Sequence, residues 1–398
     1  MNIKRSIFNN LTTQIQRPEI SILLGARQVG KTFLMNELES YCKNLGYSTY
    51  FLNLEIPSHL REITGTDEDV YNHLSSKKGI IFIDEFHYLK NASKIFKAIY
   101  DSKSGIKIFA SGSSSIEIHK HLKESLAGRL WKNRIYPLTL HEYLQNKTLS
   151  TESFYQFGGL PGLINEKNND NKIKILETIV ETYISKDIKN LIKEENIRAF
   201  NHMLYLLAQF QGSIVTSKSL SNEIGLSIPT INRNLDILSH TYICYPLYSY
   251  SKNLGNELKK SRKYYLYDLG IRNMLLKNFN TLKKRDDTGM MGETFVFHNL
   301  IHQQKSNMEI RFWRTKSDYE VDFIVLKNQL PYPIEVKTTL GKAHIPEGLK
   351  KFIDTYPETQ EAIIFCKDVR NVTQYKTTKI HFLHWEESQN IPFMESAF

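Results

Sequence analysis

Gly25, Ala26, Arg27, Gln28, Val29, Gly30, Lys31 and Thr32 follow one another in the pattern G-x-x-x-x-G-K-[ST], and no other feature of this chain restricts its fold as strongly. Such a loop works only between a buried strand and the start of a helix. The flanks agree: Ile20 to Leu24 is an apolar run, and Phe33 to Leu38 has helical spacing. Gly25 and Gly30 permit a tight backbone whose N–H groups, with the helix N-terminus, face a polyphosphate. In such a loop Lys31 sets its ammonium on the β- and γ-phosphates, and the Thr32 hydroxyl completes a Mg²⁺ shell. All eight residues are therefore candidate binding residues for a nucleoside triphosphate, and the expected cofactors are ATP and Mg²⁺.

The chain that follows reads as the rest of an α/β nucleotide-binding unit. Ser48 to Leu54 has the pattern of a strand, and Gly79 to Asp84 is a buried strand that ends in Asp84-Glu85. Asp84 is placed to hold Mg²⁺ through water, and Glu85 to polarise the attacking water. His87 is given no role. A further strand, Ile106 to Ala110, runs into Ser111, Gly112, Ser113, Ser114 and Ser115. Ser111 and Ser113 are candidates to meet the γ-phosphate or the water; the alternative is a serine-rich helix cap. Alternating strands and helices argue for a parallel sheet with ligand at the strand C-termini.

At 398 residues the chain needs more than one core. Cys42, Cys244 and Cys366 are widely separated and odd in number, which excludes a disulfide framework or a zinc spacing and fits a reducing compartment. No run approaches the length of a membrane span, so a cytoplasmic protein without membrane contact is expected. The formal net charge is +10. Much of it falls in residues 251–285, where ten Lys/Arg face only Glu257 and Asp268. Lys259, Lys260, Arg262 and Lys263 are the densest part. Such a stretch suits a polyanion or simply solvates a surface.

Residues 216–250 have the order of a winged helix-turn-helix. Ser219 to Ile224 is a short helix stopped by Gly225, and Ser227 caps a second helix with Pro229 in its first turn. Ile231, Leu235 and Leu238 stack on one face, which leaves Thr230, Asn232, Arg233 and Asn234 to project outward. Thr230, Asn232 and Arg233 are then candidates to reach base edges and phosphates. The alternative is a lid or a protein-docking surface.

In the C-terminal third, Glu320 to Val325 and Tyr332 to Lys337 read as two strands around a turn at Asn328-Gln329. Alternation puts Glu335 and Lys337 on one face, and strand pairing would bring Asp322 beside Glu335. With Glu293 on a preceding helix, three carboxylates could hold a second Mg²⁺ while Lys337 orients a water. The alternative is a salt-bridged remnant on a binding fold.

The loop, Asp84-Glu85, Ser111 to Ser114, Leu126-Ala127-Gly128-Arg129, Tyr136-Pro137-Leu138 with Glu142, and Gly158-Gly159-Leu160-Pro161 together resemble a bacterial and archaeal AAA-type ATPase family that carries a C-terminal DUF4143 domain. The resemblance implies that Pro161 lies near the nucleotide base. It also implies that Arg129 meets the γ-phosphate in cis or from a neighbour in a homo-oligomer; an ion-paired structural arginine is the alternative. Glu293, Asp322, Glu335 and Lys337 resemble a PD-(D/E)xK nuclease core. The expected domains are an AAA-type P-loop core at 1–150, a helical lid or linker at 151–197, a winged helix at 198–265 and a nuclease-like α/β domain at 266–398. The leading expectation is an ATPase that couples nucleotide to binding or processing of double-stranded DNA. The alternatives are a signalling or defence switch acting on protein partners, and an ATP-regulated Mg²⁺ nuclease.

Overall fold

The computed structural model describes residues 3–113, 126–183, 197–251 and 261–395. Among them the strands form two sheets. The first is parallel and ordered β2-β3-β4-β1-β5, with β1 Ile20–Gly25, β2 Thr49–Asn53, β3 Ile80–Asp84, β4 Lys107–Ser113 and β5 Leu130–Arg134. β1 and β3 are buried along their whole length. Both are continuous apolar runs because helices cover both faces of a parallel sheet. β4 lies between β1 and β3, with Leu23 opposite Ser111 and Ile83 opposite Ala110. The C-terminal ends of these three strands therefore meet at one edge of the sheet.

The second sheet has nine strands in the order β13-β14-β12-β11-β10-β9-β7-β8-β6. They are β6 Ile214–Thr216, β7 Cys244–Ser249, β8 Ser261–Leu266, β9 Met308–Arg314, β10 Glu320–Lys327, β11 Leu330–Val336, β12 Glu361–Phe365, β13 Asn371–Tyr375 and β14 Thr378–Leu383. The helices Ile197–Gln209, Ser217–Ile224 and Ile228–His240 accompany β6, β7 and β8. Gly225 ends the second of these at φ 78°, and the Ser227 side chain caps the third. β7 then pairs in parallel with β9, Tyr248 opposite Arg311. One sheet thus runs across residue 265, and the segments expected to separate there share their hydrogen bonding.

β10 and β11 form a hairpin whose turn residues, Asn328 at φ 49° and Gln329 at φ 69°, are both left-handed, the geometry that suits a two-residue hairpin loop. The register between β10 and β9 shifts between Val321 and Ile324. Such a bulge re-aims the side chains beside it, and Asp322 lies within it. The helix Thr288–Gln303 crosses this part of the sheet and packs under Trp385, which is fully buried.

That packing leaves no room at Gly292, where an added Cβ would lie 2.3 Å from the Trp385 ring. Gly292→Ala should lower the unfolding free energy by about 1–3 kcal/mol. Gly289→Ala in the same helix, whose Cβ would meet only Thr338 Oγ1 at 3.6 Å, should be neutral or stabilising. Urea unfolding of the two variants provides the comparison.

Candidate functional site

Close approach of backbone builds the glycine loop. Ile135 N donates to Leu24 O at 2.7 Å, and a Cβ on Gly25 would lie 2.1 Å from Ile135 O. Gln28 (φ 66°) and Gly30 (φ 91°) are left-handed, which turns the chain into the helix Lys31–Asn44. The Lys31 ammonium donates to Gly25 O at 3.0 Å and Ala26 O at 2.9 Å, so it lies folded against the loop. Thr32 Oγ1 donates to Asp84 Oδ2 at 2.7 Å, and Ser111 Oγ donates to Asp84 Oδ1. Three elements distant in sequence thereby converge on one carboxylate that is 1% exposed. Ser113 lies opposite Gly25 in the strand register, while Ser114 and Ser115 fall outside the described residues.

Glu85 follows at φ 53°, ψ 50°, a left-handed backbone that turns its side chain out of the strand. Its N–H reaches Ser111 Oγ at 3.4 Å, and its Oε2 lies 3.1 Å from His87 Nδ1. That contact has ion-pair range without hydrogen-bond alignment. His87, given no role from sequence, thus sets a basic ring beside the carboxylate expected to polarise water. Pro161 also belongs here: a Cβ on Gly30 would meet Pro161 Cγ at 3.5 Å, and one on Gly162 would meet Gln28 Oε1 at 3.8 Å.

Arg129 lies elsewhere. β5 runs parallel to β1, and Ile20 N donates to Arg129 O at 2.9 Å, so Arg129 sits beside the start of β1. The loop begins at the other end, about 16 Å away at roughly 3.3 Å per residue. Its guanidinium pairs with Asp101 at 2.8 Å. Arg129 therefore lies at the end of β1 opposite the loop.

Glu293, Asp322, Glu335 and Lys337 do come together, but around a cation supplied by the chain. Lys263, 1% exposed on β8, places Nζ 3.2 Å from Glu293 Oε1, 2.7 Å from Glu320 Oε1 and 3.7 Å from Asp322 Oδ1. Tyr265, on the same face of β8, donates to Glu293 Oε1 at 2.5 Å. Asp322 Oδ2 accepts from Val336 N at 2.8 Å, and Lys337 Nζ lies 2.5 Å from Glu335 Oε1. Burial works against the Lys263 charge, yet Glu293, Asp322 and Glu320 together hold its pKa above the ordinary lysine range. Burial lifts Glu293 and Glu335 well above ordinary carboxylates, with the Asp322 charge adding to both.

The structure departs here from two expectations. Among the described residues no three acidic, histidine or cysteine side chains are disposed to hold a metal ion, and the Lys263 ammonium occupies the space expected for a second Mg²⁺ beside Glu293 and Asp322. Lys263, expected to face a phosphate, is buried among these carboxylates.

The rest of the basic stretch is also partly internal. Arg272 and Arg285 both pair with Asp287, at 2.7 and 2.6 Å, and Lys277 pairs with Glu177 at 3.2 Å. Arg262 lies over the Tyr248 ring at 4.8 Å. Lys259 and Lys260 fall outside the described residues. On the helix Ile228–His240, Asn232 and Arg233 are exposed, with Asn232 accepting from Ser217 Oγ at 2.5 Å. Thr230 is half-buried and bonds to Ser227 in the cap. Asn234, expected to project outward, is buried; it lies three residues from Ile231 and shares its face.

Comparisons with known proteins divide the chain in three. Residues 17–144 match a family described as an AAA domain, 149–282 a domain of unknown function (DUF8612) and 288–387 a domain of unknown function (DUF4143). Segments similar to an AAA domain and to a DUF4143 domain thus lie in one chain. Relatives include uncharacterized proteins of Mycobacterium tuberculosis (23% identical, covering 84% of this chain and 74% of the relative), Haemophilus influenzae (24%, 86% and 90%) and Methanocaldococcus jannaschii (23%, 84% and 78%). Similar solved structures include AMPPCP-bound DnaA from Aquifex aeolicus (13% identity, 58% of this chain and 86% of that one, TM-score 0.30) and C. elegans PCH-2 (14%, 60% and 69%, 0.29). At those scores nothing is carried over from them to this chain.

Two buried carboxylates to which the sequence reading gave no role, Glu142 and Asp268, brace the surroundings of the glycine loop. Arg5, 4% exposed, donates to Val29 O at 2.9 Å and Tyr136 O at 2.7 Å, and its Nε pairs with Glu142 at 3.2 Å. Burial opposes the Glu142 charge, but Arg5 and the N–H groups of Ser6 and Thr139 hold its pKa below the ordinary range. Asp268 caps the helix Leu269–Leu276 through Gly270 N and Ile271 N and also accepts from Gly159 N at 2.8 Å. Burial raises it to about 6 despite these bonds. The segment bearing Pro161 is thus fixed to the start of that helix. No local pattern marks Arg5, whereas the cap position of Asp268 before Leu269 is a readable signal.

The Lys263 centre makes a direct prediction. Lys263→Ala leaves the facing carboxylates without their cation and should cost about 3–5 kcal/mol of stability. Adding Glu293→Gln and Asp322→Asn should recover much of that loss in urea unfolding.

Proposed function

We propose that this chain is a Mg²⁺-dependent ATPase whose nucleotide state controls engagement of DNA by the region that follows the AAA domain. The observation that carries the ATPase reading is the convergence of Thr32 and Ser111 on Asp84, with Glu85 next in the chain. The residues fit a metal: Thr32 and Asp84 are the hydroxyl and carboxylate that would hold Mg²⁺, which when bound neutralises phosphate charge. Lys31 would leave its loop carbonyls for the β- and γ-phosphate oxygens. Glu85 would accept a proton from the water that attacks the γ-phosphorus as the bond to the β-phosphate oxygen breaks, yielding ADP and inorganic phosphate.

The order of helices and strands between Ile197 and Leu266 supports reading that region as a winged helix. The exposed Asn232 and Arg233 support duplex DNA as its partner. Asp268, which accepts a hydrogen bond from Gly159, and Pro161 two residues on from it supply a short path of contacts between this region and the glycine loop. Cleavage forms no part of the proposal, since Lys263 supplies the charge a nuclease metal would bring. The half-exposed position of Arg129 away from the loop supports a homo-oligomer that brings it to a neighbouring subunit's nucleotide.

Lys31→Ala should abolish or greatly weaken nucleotide binding in a fluorescent-ATP titration. Glu85→Gln should bind ATP as the parent does yet lose hydrolysis by about 100-fold or more, the usual effect of losing a positioned base. Parent-like turnover in Glu85→Gln would overturn the assignment of roles. Duplex binding that falls linearly with log salt supports the DNA reading; a slow ATPase indifferent to duplex favours a switch that reads protein partners.

A further inference from the structure

His87 is a basic group that the reaction proposed above leaves unused. It follows Glu85 by two residues, within the short helical turn Phe86–Tyr88, and its Nδ1 lies 3.1 Å from Glu85 Oε2. That separation is the length of a hydrogen bond; only the alignment is missing. Nδ1 is buried and makes no hydrogen bond among the described residues. Buried polar atoms left without a partner are few in native folds, and each one calls for a reason. With a proton on Nδ1, a modest rotation of either side chain turns the contact with Oε2 into a hydrogen bond. The turn itself is firmly set. Phe86 is buried with its ring 5.8 Å from that of Phe96. Tyr88 N donates to Glu85 O at 3.1 Å and Leu89 N to Phe86 O at 3.0 Å, and the His87 ring lies 4.4 Å from that of Tyr88. Glu85 has the opposite character, a long side chain with several rotatable bonds. A general base acts only within hydrogen-bond reach of the proton it takes, so its carboxylate needs fixed neighbours, and His87 is one.

We propose that His87 is a positioning residue for ATP hydrolysis: its Nδ1–H holds Glu85 Oε2 and so aims the carboxylate at the attacking water. The inference rests on the ATPase reading and adds to it the group that orients the base. A base oriented in turn by a third group is a general arrangement where a nucleophile must be activated. In this role His87 touches neither the nucleotide nor the water. Glu85 takes the proton of the water, while the proton on Nδ1 stays where it is. The left-handed backbone of Glu85, at φ 53°, belongs to the same device, since it turns the side chain out of β3 and toward the turn that carries the ring.

The test measures ATP turnover and fluorescent-ATP affinity on the full chain, with and without duplex DNA, and checks folding of each variant by thermal melting. His87→Ala should lower kcat by about tenfold or more, toward the roughly hundredfold that a misplaced group costs. Its ATP affinity should stay within about twofold of the parent, because the group acts only on the chemical step. Two further substitutions separate aiming from packing. His87→Asn sets an amide nitrogen near the place of Nδ1 and should recover part of the loss. His87→Phe keeps a ring against Tyr88 but has no donor, and should not. In the Glu85→Gln background, adding His87→Ala should change the residual rate by less than about twofold, since residues that act as a unit are non-additive. Equal losses in the two backgrounds, or recovery by His87→Phe in place of His87→Asn, would make His87 a packing residue and overturn the proposal. Parent-like or raised turnover in His87→Ala overturns it as well. A parent chain that binds ATP without hydrolysing it, with or without duplex, overturns the ATPase reading and this inference with it.

Discussion

The Lys263 ammonium is the charge on which the C-terminal half depends. Three carboxylates from one helix and one strand crowd into a nearly dry space between β8 and β10. Buried charges of one sign are tolerable only with a partner of the other. By reaching from β8, Lys263 makes the middle segment part of the same electrostatic unit as the C-terminal strands. The sheet continuity between β7 and β9 does the same through the backbone. The middle of the chain is therefore joined to its end by both hydrogen bonding and charge. A motif that reads on paper as a metal site has become an internal fastening.

What the sequence revealed follows the range of the interactions involved. The glycine loop, the helix after it and the strand ending in Asp84-Glu85 were legible because each is written in consecutive residues. The Gly225 stop and the Ser227 cap were legible for the same reason. The meeting of Asp322 with Glu335 followed from strand alternation and a turn whose two residues take up left-handed backbone. The count of positive charge in 251–285 misled, because a count along the chain does not say which way a side chain points. Lys263 and Tyr265 share the inner face of β8 while Arg262 lies on the other. Arg272 and Arg285 turn inward to one aspartate. A lysine embedded in Tyr264-Tyr265-Leu266 was the available warning. Arg5 carried none, since its partners, Val29, Tyr136 and Glu142, are joined only by the tertiary fold.

The nucleotide loop is held from both sides by parts of the chain outside the strand and helix that define it. Arg5 grips the carbonyl of Val29 from the N-terminal segment, and Pro161 and Gly162 lie close to Gly30 and Gln28. The second of these contacts is itself fixed by Asp268, more than a hundred residues further on. Few contacts therefore separate the loop from the cap of the helix Leu269–Leu276. The coupling proposed above between nucleotide and the following region would run through this short series.

Ser111 bonds with two neighbours at once, donating to the Asp84 carboxylate and accepting from the peptide N–H of Glu85. A non-glycine residue in left-handed backbone sits roughly 1–2 kcal/mol above its relaxed state, so Glu85 stays turned only while its surroundings insist. One hydroxyl thus steadies both the Asp84 carboxylate and the peptide plane on which the next acid rides. Mechanically, β4 acts as the tailstock of a lathe: whatever else it meets, it keeps the cutting edge true.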